Sequence, residues 1–223
     1  MNITNTLKNV NVLHIMKFMS KLKKLIMMAN QGSDSSSLPK EYIQLEYLES
    51  TGTQYILTNV YPNNTYTFDT KLKVTINENV VLWGVRSNGA YNTDNSQCYL
   101  NYNIIGANKQ RIILYSTNTN LSTNYYTGEQ AVVGNTYDLR NMLVVDTMIQ
   151  MTYPVMLFGL NNIGTLNASL GKCIIYRWAA YSNGIAVCDL IPALRIADSK
   201  PGMYDLVSGQ FFVNQGTGEF SYR

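Results

Sequence analysis

Residues 40–223 of this 223-residue chain predict an all-β domain, a sandwich or barrel of antiparallel strands. Three observations point there. From residue 40 onward apolar side chains recur at a period of two, short strands alternate with turns rich in Asn, Gly and Ser, and no helical spacing intervenes. The length suits one larger all-β domain or two small ones, and 46% hydrophobic residues suffice for a core.

The N-terminal segment VLHIMKFMSKLKKLIMMA (12–29) differs from all that follows. It combines helical apolar spacing with lysines, and together with Met1 it holds five of the ten methionines. A signal peptide needs a charged start, then 7–15 apolar residues and a small-residue cleavage site. Here the lysines sit in the middle. A transmembrane helix needs about 20 apolar residues without such charges, so no transmembrane segment is expected. Three readings stay open: an amphipathic helix that docks on a partner or a membrane surface, an ordered arm in an assembly, or a segment missing from the mature protein because translation begins at Met27 or Met28. Residues 1–29 are read as a basic, Met-rich arm or short helix. Residues 30–39, NQGSDSSSLP, form a polar linker that ends at the domain boundary in Pro39.

In YTFDTKLKVTIN (66–77), Tyr66, Phe68, Leu72, Val74 and Ile76 share one face and Thr67, Asp69, Lys71, Lys73 and Thr75 the other, as in a half-buried antiparallel strand. Further strands are expected at 80–86, 97–104, 111–116, 137–145, 153–159, 170–181, 185–194, 203–207 and 210–213. NEN, SNGAYNTDN, GANK, NNIG, SNG and SG supply turn chemistry between them. Trp83 and Trp178 lie within apolar strands and are expected in the core. No internal repeat is present.

The net charge of +3 is unevenly spread. Residues 1–36 carry Lys8, Lys17, Lys21, Lys23 and Lys24 against Asp34, a balance of +4, which leaves twelve basic and thirteen acidic side chains elsewhere, a balance of −1. A nucleic-acid binder needs a basic stripe on its folded body, so no nucleic-acid partner is expected. Charged residues make up only 14%, and 17 tyrosines help fill the gap. An AT-rich coding sequence would also enrich Asn and Tyr.

Cys98, Cys173 and Cys188 show neither CxxC nor metal-ligand spacing. With Asn183-Gly184 as a two-residue hairpin turn, paired residue numbers sum to 367. Cys173 then faces Leu194 and Cys188 faces Ala179, so free thiols are expected.

Catalytic devices are scarce. The one histidine, His14, precedes the domain, which removes His-based triads and His-containing zinc sites from the body. Phosphate-cradling glycine motifs are missing. Glu46 and Glu49 are the closest acidic pair in sequence, yet their odd spacing puts them on opposite faces of a strand, so they read as solvated. Asp94 with neighbouring Asn residues has the chemistry of a calcium ligand, and equally of a plain turn. No cofactor is expected.

Aromatics with amides remain as binding chemistry, because sugar C–H faces stack on Tyr and Trp while Asn bonds to hydroxyls. Tyr91, Asn92 and Asp94 in one expected loop, and Asn124, Tyr125 and Tyr126 in another, are the candidate ligand-binding residues. The competing reading is that loop tyrosines merely cap the sandwich.

YIQLEYLESTGTQYILTNV (42–60), VLWGVR (81–86), VMLFGLNN (155–162), GKCIIYRWAAYSNGIAVCDLIPALR (171–195) and PGMYDLVSGQFFVNQGTGEF (201–220) together resemble a concanavalin A-like, laminin-G-like jelly-roll domain. The kind resembled occurs in bacteriophage tail and head appendage proteins and in surface proteins of gut bacteria. The likeness covers about residues 40–222. It implies a two-sheet antiparallel jelly-roll sandwich with carbohydrate or protein bound at a concave face or loop rim. It does not imply catalysis: the glycanases of this fold carry a Glu-x-Asp-x-x-Glu strand motif, and this chain has none. The calcium and sugar ligands of legume-type members have no clear equivalents either.

The resulting expectation is a non-enzymatic phage virion protein, a fibre or decoration component at the particle surface, whose jelly roll adheres to host or mucosal glycans. Residues 1–36 would grip another virion protein, and appendages of this type are often homotrimers. The alternatives are a purely structural module that binds protein and no sugar, or a lectin on the bacterial cell surface, against which the missing signal peptide counts.

Overall fold

A computed structural model describes residues 38–87, 97–107, 109–116, 131–144, 148–167 and 171–223. The described residues form sixteen strands and no helix: β1 Tyr42–Gln44, β2 Leu48–Glu49, β3 Ile56–Leu57, β4 Tyr66–Val74, β5 Val80–Arg86, β6 Gln97–Gly106, β7 Lys109–Tyr115, β8 Thr136–Leu143, β9 Met156–Leu157, β10 Leu160–Asn162, β11 Thr165–Asn167, β12 Cys173–Ser182, β13 Ile185–Arg195, β14 Lys200–Asp205, β15 Phe211–Val213 and β16 Ser221–Tyr222. The all-β expectation holds, and the strands make two sheets.

The first sheet has nine strands. Its path runs β15-β14-β13-β12-β2-β16, with β1 on β13, β4 on β12 and β8 on β4. The second has seven, in the order β11-β10-β5-β6-β7, with β9 on β5 and β3 on β9. All pairings are antiparallel except β10 with β5. The sheets face each other across one core. Phe68 and Trp178 enter it from the first sheet and Trp83 from the second. Phe68 lies 4.9 Å from Trp83 and 5.6 Å from Trp178, and the two indoles meet edge-on at 5.8 Å. Both tryptophans are fully buried, as expected.

Alternation explains β4, where Phe68, Leu72 and Val74 are fully buried while Lys71 is exposed. Ile76 packs partly buried against the core, beyond the strand's end.

Three expectations need correction. The 153–159 run is not one strand. Phe158 (φ 60°) and Gly159 (φ 147°) break it into β9 and β10. Gly171 passes close by, and a Cβ on it would lie 1.9 Å from the Phe158 carbonyl oxygen. The long hairpin keeps its expected Asn-Gly turn, with positive φ at Asn183 and Gly184, and its pairs Ser182–Ile185 and Tyr181–Ala186 sum to 367. A bulge between Ala180 and Tyr181 then shifts the register by one. Cys188 therefore faces Ala180 rather than Ala179, and Cys173 pairs with Val74 of β4 rather than facing Leu194. The three cysteines are nonetheless free and buried. Finally, pairing starts well before residue 66, where the first strand is expected, and ahead of the STGTQYI turn (50–56): β12 and β13 diverge toward their far ends, where β1 joins β13 and β2 joins β12.

The two terminal motifs also meet. Thr217 N–H donates to Thr53 O and Gln215 N–H to Tyr55 O, both at 3.0 Å. Asn214 Oδ1 accepts from Tyr55 N (3.1 Å) and Gly216 N (2.9 Å), and Asn214 Nδ2 donates to Gly218 O (2.8 Å). On the other side of the turn, Gln54 Oε1 accepts from Thr51 N at 2.9 Å. The 42–60 stretch is thus a structural seam held by side-chain amides.

Candidate functional site

Tyr91, Asn92, Asp94, Asn124, Tyr125 and Tyr126 lie outside the described residues. Arg86 closes β5 and pairs with Gln97, which opens β6, and Tyr115 closes β7 opposite Tyr99. At that end of the second sheet, on its outer face, the described residues form a site that loop-based reasoning misses.

The site follows from the alternation in QCYLNYN (97–103). Cys98, Leu100 and Tyr102 point into the core, at 1% exposure or less. Gln97, Tyr99, Asn101 and Asn103 therefore lie on the opposite face, where Gln97 and Tyr99 are buried (7% and 8% exposed) and Asn101 and Asn103 half-buried. Cross-strand pairing adds Arg111, Ile113 and Tyr115 from β7, and Val81 and Arg86 from β5. Val81, Tyr99 and Leu160 make a second apolar cluster beneath Tyr115, separate from the main core.

On this floor Tyr99 and Tyr115 stack with centroids 4.9 Å apart and planes 22° from parallel. The Arg86 guanidinium lies 5.3 Å over the Tyr99 ring and donates to Gln97 Oε1 at 3.3 Å. An amide relay runs alongside: Asn101 Nδ2 donates to Asn103 Oδ1 (2.5 Å), and Asn103 Nδ2 donates to the Tyr115 hydroxyl oxygen (2.6 Å). Asn101 Oδ1, Arg111 Nε and Asn162 Oδ1 are buried polar atoms without a hydrogen-bond partner. Asn162 lies on the same face, as the parallel partner of Arg86. Buried polar groups normally find partners, so this surface presents unmet acceptors and a donor beside a stacked aromatic pair.

On the first sheet, by contrast, two arginines are paired with carboxylates. Arg140 bridges Asp69 (3.2 Å) and Asp138 (2.5 Å). Arg177 grips Asp189 through Nε and Nη2 at 2.7 and 2.5 Å. The hydrogen bonds they donate to these carboxylates hold both guanidinium groups above their ordinary pKa. Glu46 pairs with Arg223 at 3.5 Å rather than with Glu49. A cleft of about 180 Å³ beside Lys200, Pro201, Asn214, Glu219 and Phe220 falls short of the roughly 300 Å³ typical of small-molecule sites.

Burial pushes the thiols of Cys98, Cys173 and Cys188 well above their ordinary value, which suppresses the reactive thiolate. Among the described residues no three His, Cys, Asp or Glu side chains converge as a metal site, and no helix is long and apolar enough to cross a membrane. No protein-family model, curated protein or solved structure matches this chain.

Proposed function

We propose that this chain is a non-enzymatic adhesion protein, a jelly-roll sandwich that binds glycan across the outer face of its second sheet. The observation that carries the reading is the Tyr99–Tyr115 stack bordered by the Asn101–Asn103–Tyr115 amide relay. Aromatic planes suit sugar C–H faces, and amides with spare acceptors suit hydroxyls. Tyr91, Asn92, Asp94, Asn124, Tyr125 and Tyr126 stay candidate ligand residues by their chemistry and are tested beside this face. The resemblance of the terminal motifs to phage appendage domains supports placing the protein on a virion, with residues 1–36 bound to another particle component.

The test is binding of the full-length chain to bacterial capsular polysaccharides and mucin glycans. Tyr115→Ala and Asn103→Ala should each weaken binding roughly tenfold, the effect of losing about 1.4 kcal/mol of contact. Tyr125→Ala with Tyr126→Ala should weaken it further. Unchanged affinity in all these variants would remove the face as the site. Absence of glycan binding by the parent chain would favour a structural, protein-binding module instead. Detection of the chain in purified phage particles tests its placement.

A further inference from the structure

Charge is partitioned between the sheets. The strands of the first sheet carry Glu49, Asp69, Asp138, Asp189 and Asp205 among Lys71, Lys73, Arg140, Arg177, Arg195 and Lys200. The strands of the second carry Arg86, Lys109 and Arg111 and no carboxylate at all. Arg111 stands on the outer face, opposite Asn103, the residue that bonds Tyr115. Its Nε is buried and donates to nothing. No described acid on this sheet neutralises Arg111 or would repel an incoming anion.

From this we infer that the surface takes a carboxylate-bearing saccharide, with the acid seated on Arg111 and a sugar hydroxyl on Asn101. The inference rests on the glycan reading above and narrows it. A guanidinium fork fits a planar carboxylate with two parallel hydrogen bonds, and such charge-assisted bonds exceed neutral ones in strength. The orphaned amide oxygen of Asn101 requires a donor, and a hydroxyl next to the acid group provides it. A nucleic acid fits less well, because residues 37–223 carry a net charge of −1 and so offer little to a polyphosphate.

The full-length chain would be titrated against polygalacturonate, hyaluronan and colominic acid, each beside its carboxyl-reduced neutral form, with poly(dT) as a further probe. The expected result is binding of at least one acidic polymer, and roughly tenfold weaker binding of its reduced form. Arg111→Gln should lose that same factor on the acidic polymer, whereas Arg111→Lys should keep part of it. Thermal unfolding of both variants checks the fold. If the Gln variant fails to fold, the Lys variant and the reduced polymers decide. Equal affinity for acidic and reduced forms would overturn the acid preference while leaving glycan binding standing. No binding to any polymer would overturn both. Tighter binding to poly(dT) than to every saccharide would also overturn both.

Discussion

Gly84 is where the core and the binding face compete for space. A Cβ there would lie 2.0 Å from the Cβ of Tyr99 and 2.6 Å from its Cα. Only hydrogen lets β5 and β6 approach closely enough for Tyr99 to lie flat under Arg86 and against Tyr115. Gly84→Ala should therefore destabilise the protein by about 1–3 kcal/mol through overpacking. The urea midpoint should fall with the m-value unchanged, and glycan affinity should fall with it as Tyr99 is displaced. Phe68 is the opposite case, a fully buried ring between two indoles. Phe68→Ala should cost about 3–5 kcal/mol and leave the outer face intact. The burial of Trp83 and Trp178 was legible from their apolar neighbours. Their meeting through Phe68 was not, because spacing along one chain does not say which strands will face each other.

At the scale of elements, the strands of 66–77 and 97–104 were legible because one face is apolar at a period of two. The second of these carries the proposed site: the polar half of QCYLNYN, with its Tyr and two Asn, is the signal that points to it. Sequence reasoning placed ligand residues in loops and treated polar strand positions as solvent face. The β12–β13 register was legible only as far as its turn. The bulge beside Ala180 has no turn or glycine signal in the sequence to announce it. The terminal seam makes a separate prediction. Asn214 serves two backbone N–H groups and one carbonyl there, so Asn214→Ala should cost about 1–3 kcal/mol. Hydrogen exchange should then accelerate in residues 50–56 and 214–220 ahead of the rest of the domain.

For the whole molecule, burial decides how stability depends on pH. Cys98, Cys173 and Cys188 have folded-state pKa values raised above an ordinary value of 9.0, with burial as the largest cause. Tyr66, Tyr102 and Tyr181 shift in the same direction from 10.0, again chiefly through burial. Above about pH 9 the unfolded chain releases protons that the folded chain retains, so stability is full below that point and declines as pH rises beyond it. Calorimetry should show the melting temperature falling progressively on the alkaline side, and Cys98→Ala should remove part of the slope. The charge partition between the sheets belongs to this scale too. It could not be read from the chain, since the body's net charge of −1 conceals a second sheet free of carboxylates.

The central claim is that the outer face of the second sheet is the binding surface. Hydrogen–deuterium exchange of the full-length chain, with and without the tightest glycan from the polysaccharide panel, tests it most directly. Slowed exchange confined to residues 97–103 and 109–115, with residues 66–74 and 173–195 unchanged, is the predicted result. Protection of the first sheet instead, or no protection in either sheet at saturating glycan, would contradict it.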